Sequence, residues 1–262
     1  MVELSFAQLQ GWLVLFLWPF TRVAAFMMVE PLLGHSSTPA PVKIGLAALL
    51  TLAVTATAPV MPAIPLWSWA SVGILVEQLI IGLALGFVMQ IIMGVVQAAG
   101  EVIGLQMGLA FASFFAPDMG ANTMILSRYF YMVAALTFLA FDGHLLLIQI
   151  LANSFVTLPV GLASLDASAF GTLVRFASVI FSSSLLLALP LVASLLVINM
   201  AMAILNRVAP QFTVFSVGFP MSLIAGLVLL TLLMQELGGV LGQLFMLGLQ
   251  FMQEMVLTLG AV

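Results

Sequence analysis

The ionisable side chains of this chain are too few and too scattered to build a catalytic or metal centre. Asp142 and His144 flank the glycine of "FDGH", but a zinc site needs three or four protein ligands. The other histidine, His35, lies in a distant polar loop. The absence of cysteine excludes disulfides, thiolate metal sites and a cysteine nucleophile. We therefore predict no enzymatic activity, no metal and no cofactor.

An arginine inside an apolar run indicates a buried electrostatic contact. Arg22 lies within "FLWPFTRVAAFMM", and a guanidinium remains charged, so its burial demands a partner. Glu30, Glu77 and Glu101 are the candidate carboxylates, and the sequence does not choose among them. Arg128 raises the same question nearer a helix start. For both arginines a buried ion pair is favoured over substrate binding.

Polar side chains also recur on single helical faces within the apolar runs. One set has offsets of 0, 7 and 11 residues and the other is spaced seven apart: Gln90, Gln97 and Glu101; Glu236, Gln243 and Gln250. Such spacings place each set on one face of a helix. Polar groups in hydrocarbon are costly and normally face protein or water. An inter-helix seam or subunit contact is favoured over a transport path for both sets.

Small residues in the third apolar run recur at four-residue spacing, which lets helices approach closely. They are Gly82, Gly86, Gly100, Gly104, Gly108 and Ala112. Taken alone, this ladder indicates ordinary membrane packing.

The elements that must position these residues are helix-length apolar runs. The 262 residues are 64% hydrophobic and 5% charged, with a mean hydropathy of +1.32, whereas soluble domains have about 25% charged residues. The runs cover roughly 6–29, 44–57, 67–104, 124–141, 145–157, 167–205 and 214–259. At about 20 residues per span, we predict an all-α integral membrane protein with about six spans. With no basic patch, nucleic acid is not a predicted partner.

Residues 104–124, "GLQMGLAFASFFAPDMGANTM", place Phe and Met on a segment that cannot be one smooth helix, because it contains Pro117 and Gly120. Apolar side chains on irregular backbone are tolerated at membrane depth where protein buries them or where they line a cavity. The residues alone leave two interpretations open: a buried re-entrant connector, or a segment that closes a pore.

Five stretches together resemble the FliR family, the R subunit of the flagellar type III export gate, which is related to the T subunit of injectisome gates. They are "TRVAAFMMVEPLLG" (21–34), "PAPVKIGLAALL" (39–50), "GEVIGLQMGLAFASFFAPDMG" (100–120), "DGHLLLIQILANSF" (142–155) and "LNRVAPQFTVFSVGFP" (205–220). The resemblance spans nearly the whole chain. We choose the flagellar branch over the injectisome branch.

The resemblance implies an architecture and a set of partners. A P-like helical part, 1–165, is followed by a Q-like long helical hairpin, 166–262, within the single membrane domain 1–262. The hairpin turn is "NRVAPQ", with Asn206, Arg207 and Pro210. The chain would pack in a helical hetero-oligomeric gate with P, Q and B subunits, in membrane lipid of the bacterial inner membrane at the flagellar basal body. Unfolded exported flagellar proteins would pass through that gate.

The resemblance also implies that segment 106–122 projects into the channel as a plug. Its residues are Gln106, Met107, Phe111, Phe114, Phe115, Pro117, Met119, Gly120 and Asn122. Phe and Met can close a pore by packing and dewetting. The alternative function is a small-molecule secondary transporter. Transporters favour inverted repeats around a midplane site, and this chain has no matched halves.

Overall fold

The computed structural model describes residues 6–35, 37–55, 62, 64–65, 67–109, 125–161, 165–209 and 217–260. Eight helices lie in this part of the chain, and no strand does. They are α1 (Phe6–Val29), α2 (Ala40–Thr55), α3 (Trp69–Gln106), α4 (Ile125–Ala140), α5 (Gly143–Thr157), α6 (Ala167–Phe176), α7 (Val179–Val208) and α8 (Phe219–Leu259). The predicted all-α class is confirmed.

Within these ranges, four segments are long and apolar enough to cross a membrane: Gln10–Val29, Trp69–Gln106, Ser168–Val208 and Phe219–Leu259. The bent pair α4 and α5 makes a fifth if it is counted as one span. The count is below the predicted six because α2 has only 16 residues, or about 24 Å of helix, against about 30 Å of hydrocarbon. The turn predicted at "FDGH" interrupts the bent pair, where Asp142 adopts the left-handed conformation with φ 54°.

The chain divides into two compact units, each assembled from segments far apart in sequence. Unit 1 comprises Met1–Ile91, Asp142–Ala177 and Met246–Val262, and unit 2 comprises Ile92–Phe141 and Ser178–Phe245. Helices α3 and α8 each contribute to both units. The predicted P-like and Q-like parts are instead contiguous in sequence, and they stay a prediction.

In unit 1, α1 packs closely on α3 across two glycines. A Cβ added at Gly82 would lie 2.8 Å from the Ala25 Cβ. One added at Gly86 would lie 2.9 Å from the Phe26 carbonyl oxygen. Any side chain at these positions would push the helices apart. Trp18 is fully buried in the same unit.

In unit 2, α3 packs on α4 with a similarly close approach. A Cβ at Gly100 would lie 2.8 Å from the Ser127 Cα, and the Ser127 hydroxyl donates a hydrogen bond to the Gln97 carbonyl oxygen at 2.9 Å. Gly104 makes only ordinary contacts, with 3.7 Å between its ideal Cβ and that of Leu126. Helix α8 adds a contact to α4 through the edge-on rings of Phe138 and Phe245, whose centroids are 4.9 Å apart.

Candidate functional site

The guanidinium of Arg22 is fully buried in unit 1 and donates hydrogen bonds from all three of its nitrogens. Its Nε donates to Gln78 Oε1 at 2.8 Å. Its Nη1 donates to the carbonyl oxygen of Ser154 at 2.9 Å and to the Ser154 hydroxyl at 3.1 Å. Its Nη2 donates to the carbonyl oxygen of Leu158 at 2.9 Å. One side chain therefore joins α1 to α3 and to the end of α5.

The two carbonyl groups belong to the C-terminal end of α5, which ends at Thr157. The Ser154 carbonyl also accepts the backbone N–H of the C-cap residue Leu158 at 2.9 Å, whereas the Leu158 carbonyl lies beyond the last helical residue. A cation at this helix end interacts favourably with the helix dipole. Arg22 thus caps α5 from a neighbouring helix. A carboxylate was the partner predicted for Arg22, and these backbone and amide acceptors were not predictable because they lie more than fifty residues away along the chain.

Among the three candidate carboxylates, Glu77 is the one whose charge acts on Arg22. Glu77 is buried, and its Oε1 accepts a hydrogen bond from the Gln78 amide at 3.3 Å. The ring of Phe155 adds a cation–π contact, with its centroid 4.2 Å from the guanidinium carbon. Arg22, Glu77, Gln78, Ser154 and Phe155 form what we call the Arg22 cluster.

The other two carboxylates are placed differently. Glu30 is buried, and its Oε2 accepts hydrogen bonds from the backbone N–H groups of Leu32 and Leu33 just after α1. Burial raises the pKa of the Glu30 carboxyl, and these backbone hydrogen bonds oppose the rise. Glu101 is exposed on α3 in unit 2.

Most of the remaining polar residues singled out from sequence lie on the surface of the chain. Gln90 and Arg128 are exposed and Gln97 is half-buried. The whole α8 set is exposed, namely Glu236, Gln243 and Gln250. Their assignment to subunit contacts stays a prediction.

The structure describes the root of the segment predicted to be a plug. Gln106 is the last residue of α3, Met107 is 1% exposed, and Gly108 has φ 82°, a left-handed conformation that favours glycine. The other plug residues lie outside the described residues: Phe111, Phe114, Phe115, Pro117, Met119, Gly120 and Asn122.

A cavity of about 460 Å³ lies beside this root in unit 2. Its polar lining consists of Gln106, Asn199, Asn206 and Ser222, and the Ser222 hydroxyl donates a hydrogen bond to Asn199 Oδ1 at 2.6 Å. This bond joins α7 to α8. Asn199 was not among the predicted site residues, although an amide within the apolar run "LLVINMAM" is a usable signal.

The predicted hairpin turn begins later than expected. Asn206 and Arg207 belong to the last turn of α7, which ends at Val208, because neither residue stops a helix. Ala209 leaves the helix with φ −132° and ψ 82°, outside the α region that is disfavoured for a residue before proline. Pro210 lies outside the described residues.

Comparison with known proteins gives a family match and several similar proteins. Residues 13–248 match the model of a family described as bacterial export proteins, family 1. The chain is 43% identical to flagellar biosynthetic protein FliR of Escherichia coli strain K12, with 89% of each chain covered. It is 40% identical to the FliR protein of Pectobacterium carotovorum, with 86% and 85% covered. The FliR protein of Bacillus subtilis is 28% identical, with 94% and 95% covered.

These matches extend over nearly all of the described helices, and they include both the Arg22 cluster and the root of the central segment. None of the relatives is named as a small-molecule transporter. Because the family model covers most of the chain and the relatives match it over most of their own length, this chain belongs to the FliR family of bacterial export proteins.

Proposed function

We propose that this chain is a subunit of the flagellar type III protein export gate, where it helps to form and close the channel for unfolded flagellar proteins. The observation that carries the proposal is the match over residues 13–248, together with relatives named flagellar biosynthetic proteins. The role requires no catalysis.

The exposed surface of α8 supports a role inside an assembly. The helix has 41 residues, or about 60 Å at 1.5 Å per residue, about twice the hydrocarbon thickness of a bilayer. Only 17% of its most apolar window is buried within the chain. The exposed polar set of Glu236, Gln243 and Gln250 favours protein or water over lipid. P- and Q-type gate subunits would cover this surface, and the B subunit would complete the gate in the bacterial inner membrane.

The chain's contribution to closure is the segment 106–122. It leaves α3 at Gln106, where Met107 is buried and anchors the root. Beyond the root the sequence supplies three phenylalanines and Met119. Met is flexible and repacks around varied partners, which suits a seal through which many different chains must pass.

Deletion of residues 111–120 tests this role. A plug makes most of its contacts only in the closed gate, so the deletion should leave the gate assembled and make the membrane permeable to ions and small solutes. The measurements are the mass of the gently extracted complex and the ion conductance of cells that contain it. A matched control replaces the same ten positions with a Gly/Ser linker of equal length, which should leak equally. A collapsed complex, or an assembled complex that stays tight, would contradict the proposal.

A further inference from the structure

The hydroxyl of Ser222, near the start of α8, bonds to α7 instead of to its own helix. It donates to Asn199 Oδ1 at 2.6 Å, and Ser222 is 6% exposed. A serine or threonine inside a helix often bonds to a carbonyl three or four residues back, as Ser194 of α7 and Thr231 of α8 do. The Ser222 hydroxyl therefore spends its one donor on joining two helices of unit 2.

Apolar packing is sparse around this bond. From residue 196 to residue 208, all of which the structure describes, no side chain of α7 is buried, whereas the preceding part of the helix buries Leu191 and Leu195. On α8, Met221 and Ile224, on either side of the bonded serine, are exposed. Interdigitated side chains normally fix how two helices are aligned, and few are available at this end of the pair.

The side chains one turn away from Asn199 on α7 cannot replace it as an acceptor. A slip of α8 by one turn, about 5.4 Å, would place Ser222 against an apolar side chain. A buried polar group without a partner is costly, so the bond opposes this slip in both directions. The side chains three and four residues before and after Asn199 are Leu195, Leu196, Met202 and Ala203.

A second amide on the same face of α7 offers a comparison. Asn206 is seven residues beyond Asn199, which places both on one helical face, and both line the 460 Å³ cavity. The Asn206 Oδ1 atom is not exposed to solvent and has no hydrogen-bond partner among the described residues. The two amides share a face and a cavity but differ in their bond to α8, which makes Asn206 the matched control for Asn199.

We propose that Asn199 and Ser222 are positioning residues: their hydrogen bond fixes the register of α7 against α8. Lipid is as apolar as the side chains of these helices, so apolar contact alone holds them weakly in one alignment. One polar pair then selects a single register, as a buried asparagine does in coiled coils. The exposed side chains of α7 and α8 thereby form one surface of fixed geometry. That this surface is offered to the other gate subunits rests on the proposed function.

Cysteine cross-linking in the native membrane measures the register, and the chain offers a background without cysteine. Val192 and Leu229 each lie seven residues farther from the α7–α8 connection than the bonded pair does. Val192→Cys with Leu229→Cys should therefore form a disulfide within the chain when the helices are aligned. Leu196→Cys with Leu229→Cys is displaced by one turn and should cross-link poorly. The ratio of the first product to the second reports the register.

Variants of the bonded pair should change this ratio. Asn199→Ala and Ser222→Ala should each lower it about tenfold, the shift that one hydrogen bond of a buried group supports, and combining them should lower it no further. Ser222→Thr keeps the hydroxyl and should keep the ratio. Asn206→Ala should also keep it, because it removes an amide that has no bond to α8. An unchanged ratio in Asn199→Ala, or an equal fall in Asn206→Ala, would overturn the proposal.

If Asn199→Ala lowers the amount of chain in the membrane, a reciprocal exchange decides the question. Asn199→Ser combined with Ser222→Asn exchanges the two polar groups and should restore both the amount of chain and the ratio. A double variant that restores neither would overturn the proposal.

Co-purification of the other gate subunits, measured on the same variants, separates this inference from the proposed function. A lowered ratio with fewer bound subunits supports both the effect of the bond on register and its consequence for the surface. A lowered ratio with unchanged co-purification supports the effect on register and contradicts that consequence. An unaltered chain that binds no gate subunit would contradict the proposed function, and the cross-linking ratio would still decide the register.

Discussion

Helices α3 and α8 are nearly equal in length and both are strongly apolar, yet the chain uses them differently. They have 38 and 41 residues, and each contributes to both compact units. In their most apolar windows, 61% of α3 is buried within the chain, against 17% of α8. The most apolar stretch of α3 thus lies largely in the core, whereas the most apolar stretch of α8 mainly presents surface. Length and hydrophobicity therefore identify a membrane helix without telling what covers it.

Two sets of polar residues on these helices differ in the same way. Glu77 and Gln78 of α3 are buried and belong to the Arg22 cluster. Glu236, Gln243 and Gln250 of α8 are exposed. Substitutions around α3 should therefore reduce the stability of the chain itself, and substitutions on the α8 face should reduce its association with other subunits.

The largest effect is expected at the Arg22 cluster, from Arg22→Ala. The change removes the hydrogen bonds that Arg22 donates to Gln78 and to the Ser154 and Leu158 carbonyls. It also leaves Glu77 without a buried counter-charge, a loss of about 3–5 kcal/mol. We expect little full-length chain in the membrane and no gate complex. Arg22→Lys should recover only part of the loss, because an ammonium cannot reach the same set of acceptors in a fixed fork.

Arg175→Ala is the matched control, since Arg175 is an exposed arginine of unit 1. It should change stability by about 0.5 kcal/mol or less. Chain abundance and the midpoint of thermal unfolding of the extracted complex check both variants. An equal loss of stability in Arg22→Ala and Arg175→Ala would contradict a special role for the Arg22 cluster.

The next effect is expected where α3 meets α1, from Gly82→Ala. The added methyl group would lie closer than 3.0 Å to the backbone of α1 as well as to the Ala25 side chain. Backbone cannot move aside cheaply, so overpacking should cost about 1–3 kcal/mol. Thermal unfolding of the extracted gate complex measures the loss.

Gly45→Ala in α2 serves as its control, because a Cβ added at Gly45 would meet no atom within 4 Å. It should be neutral or slightly stabilising, in line with the higher helix propensity of alanine. A Gly82→Ala variant as stable as Gly45→Ala would show that α1 and α3 are not tightly packed there.

A smaller effect on the chain itself is expected on the α8 face, from the combined change Glu236→Leu, Gln243→Leu and Gln250→Leu. Because all three side chains are exposed, the stability of the isolated chain should change by roughly 0.5 kcal/mol or less per site. Co-purification of the other gate subunits should nevertheless fall several-fold. Substitution of exposed leucines on the same helix, such as Leu227 and Leu232, by alanine gives the comparison for lost apolar area. Unchanged co-purification would argue that lipid or solvent, and not protein, covers the polar set.

The smallest effect is expected at an exposed cap, and it depends on pH. Asp166 accepts hydrogen bonds from the Ser168 hydroxyl at 2.6 Å and from its backbone N–H at 2.8 Å, and these bonds lower the pKa of the Asp166 carboxyl. Its stabilising contribution to the start of α6 is therefore complete above the unfolded value near 3.8 and is lost as pH falls through the lower folded value. The Ser168 amide shift should titrate in that range and become flat in Asp166→Ala. A titration that persists in Asp166→Ala would assign it to another group.

Sequence alone was sufficient for the class of this protein and for its family. Helix existence followed from the apolar runs, because a segment in lipid must satisfy its own backbone hydrogen bonds. The run at 67–104 corresponds to α3 within a few residues, and the run at 167–205 is divided between α6 and α7. The close contacts at Gly82, Gly86 and Gly100 were also recognisable, since close helix approach demands small residues. The five quoted stretches were enough to identify the FliR family.

Only the tertiary structure decided which partner each of these residues has. Arg22 binds the Gln78 amide and two carbonyls at a helix end more than a hundred residues away from Arg22. No local pattern marks a carbonyl as the acceptor for a distant side chain. Gly226 and Asn199 were overlooked because their contacts are with residues far away in sequence. Gly226 packs against Met107, and Asn199 accepts a hydrogen bond from Ser222. The different burial of α3 and α8 could not be predicted for the same reason. Hydropathy reports that a helix avoids water, and both lipid and protein provide a water-free environment.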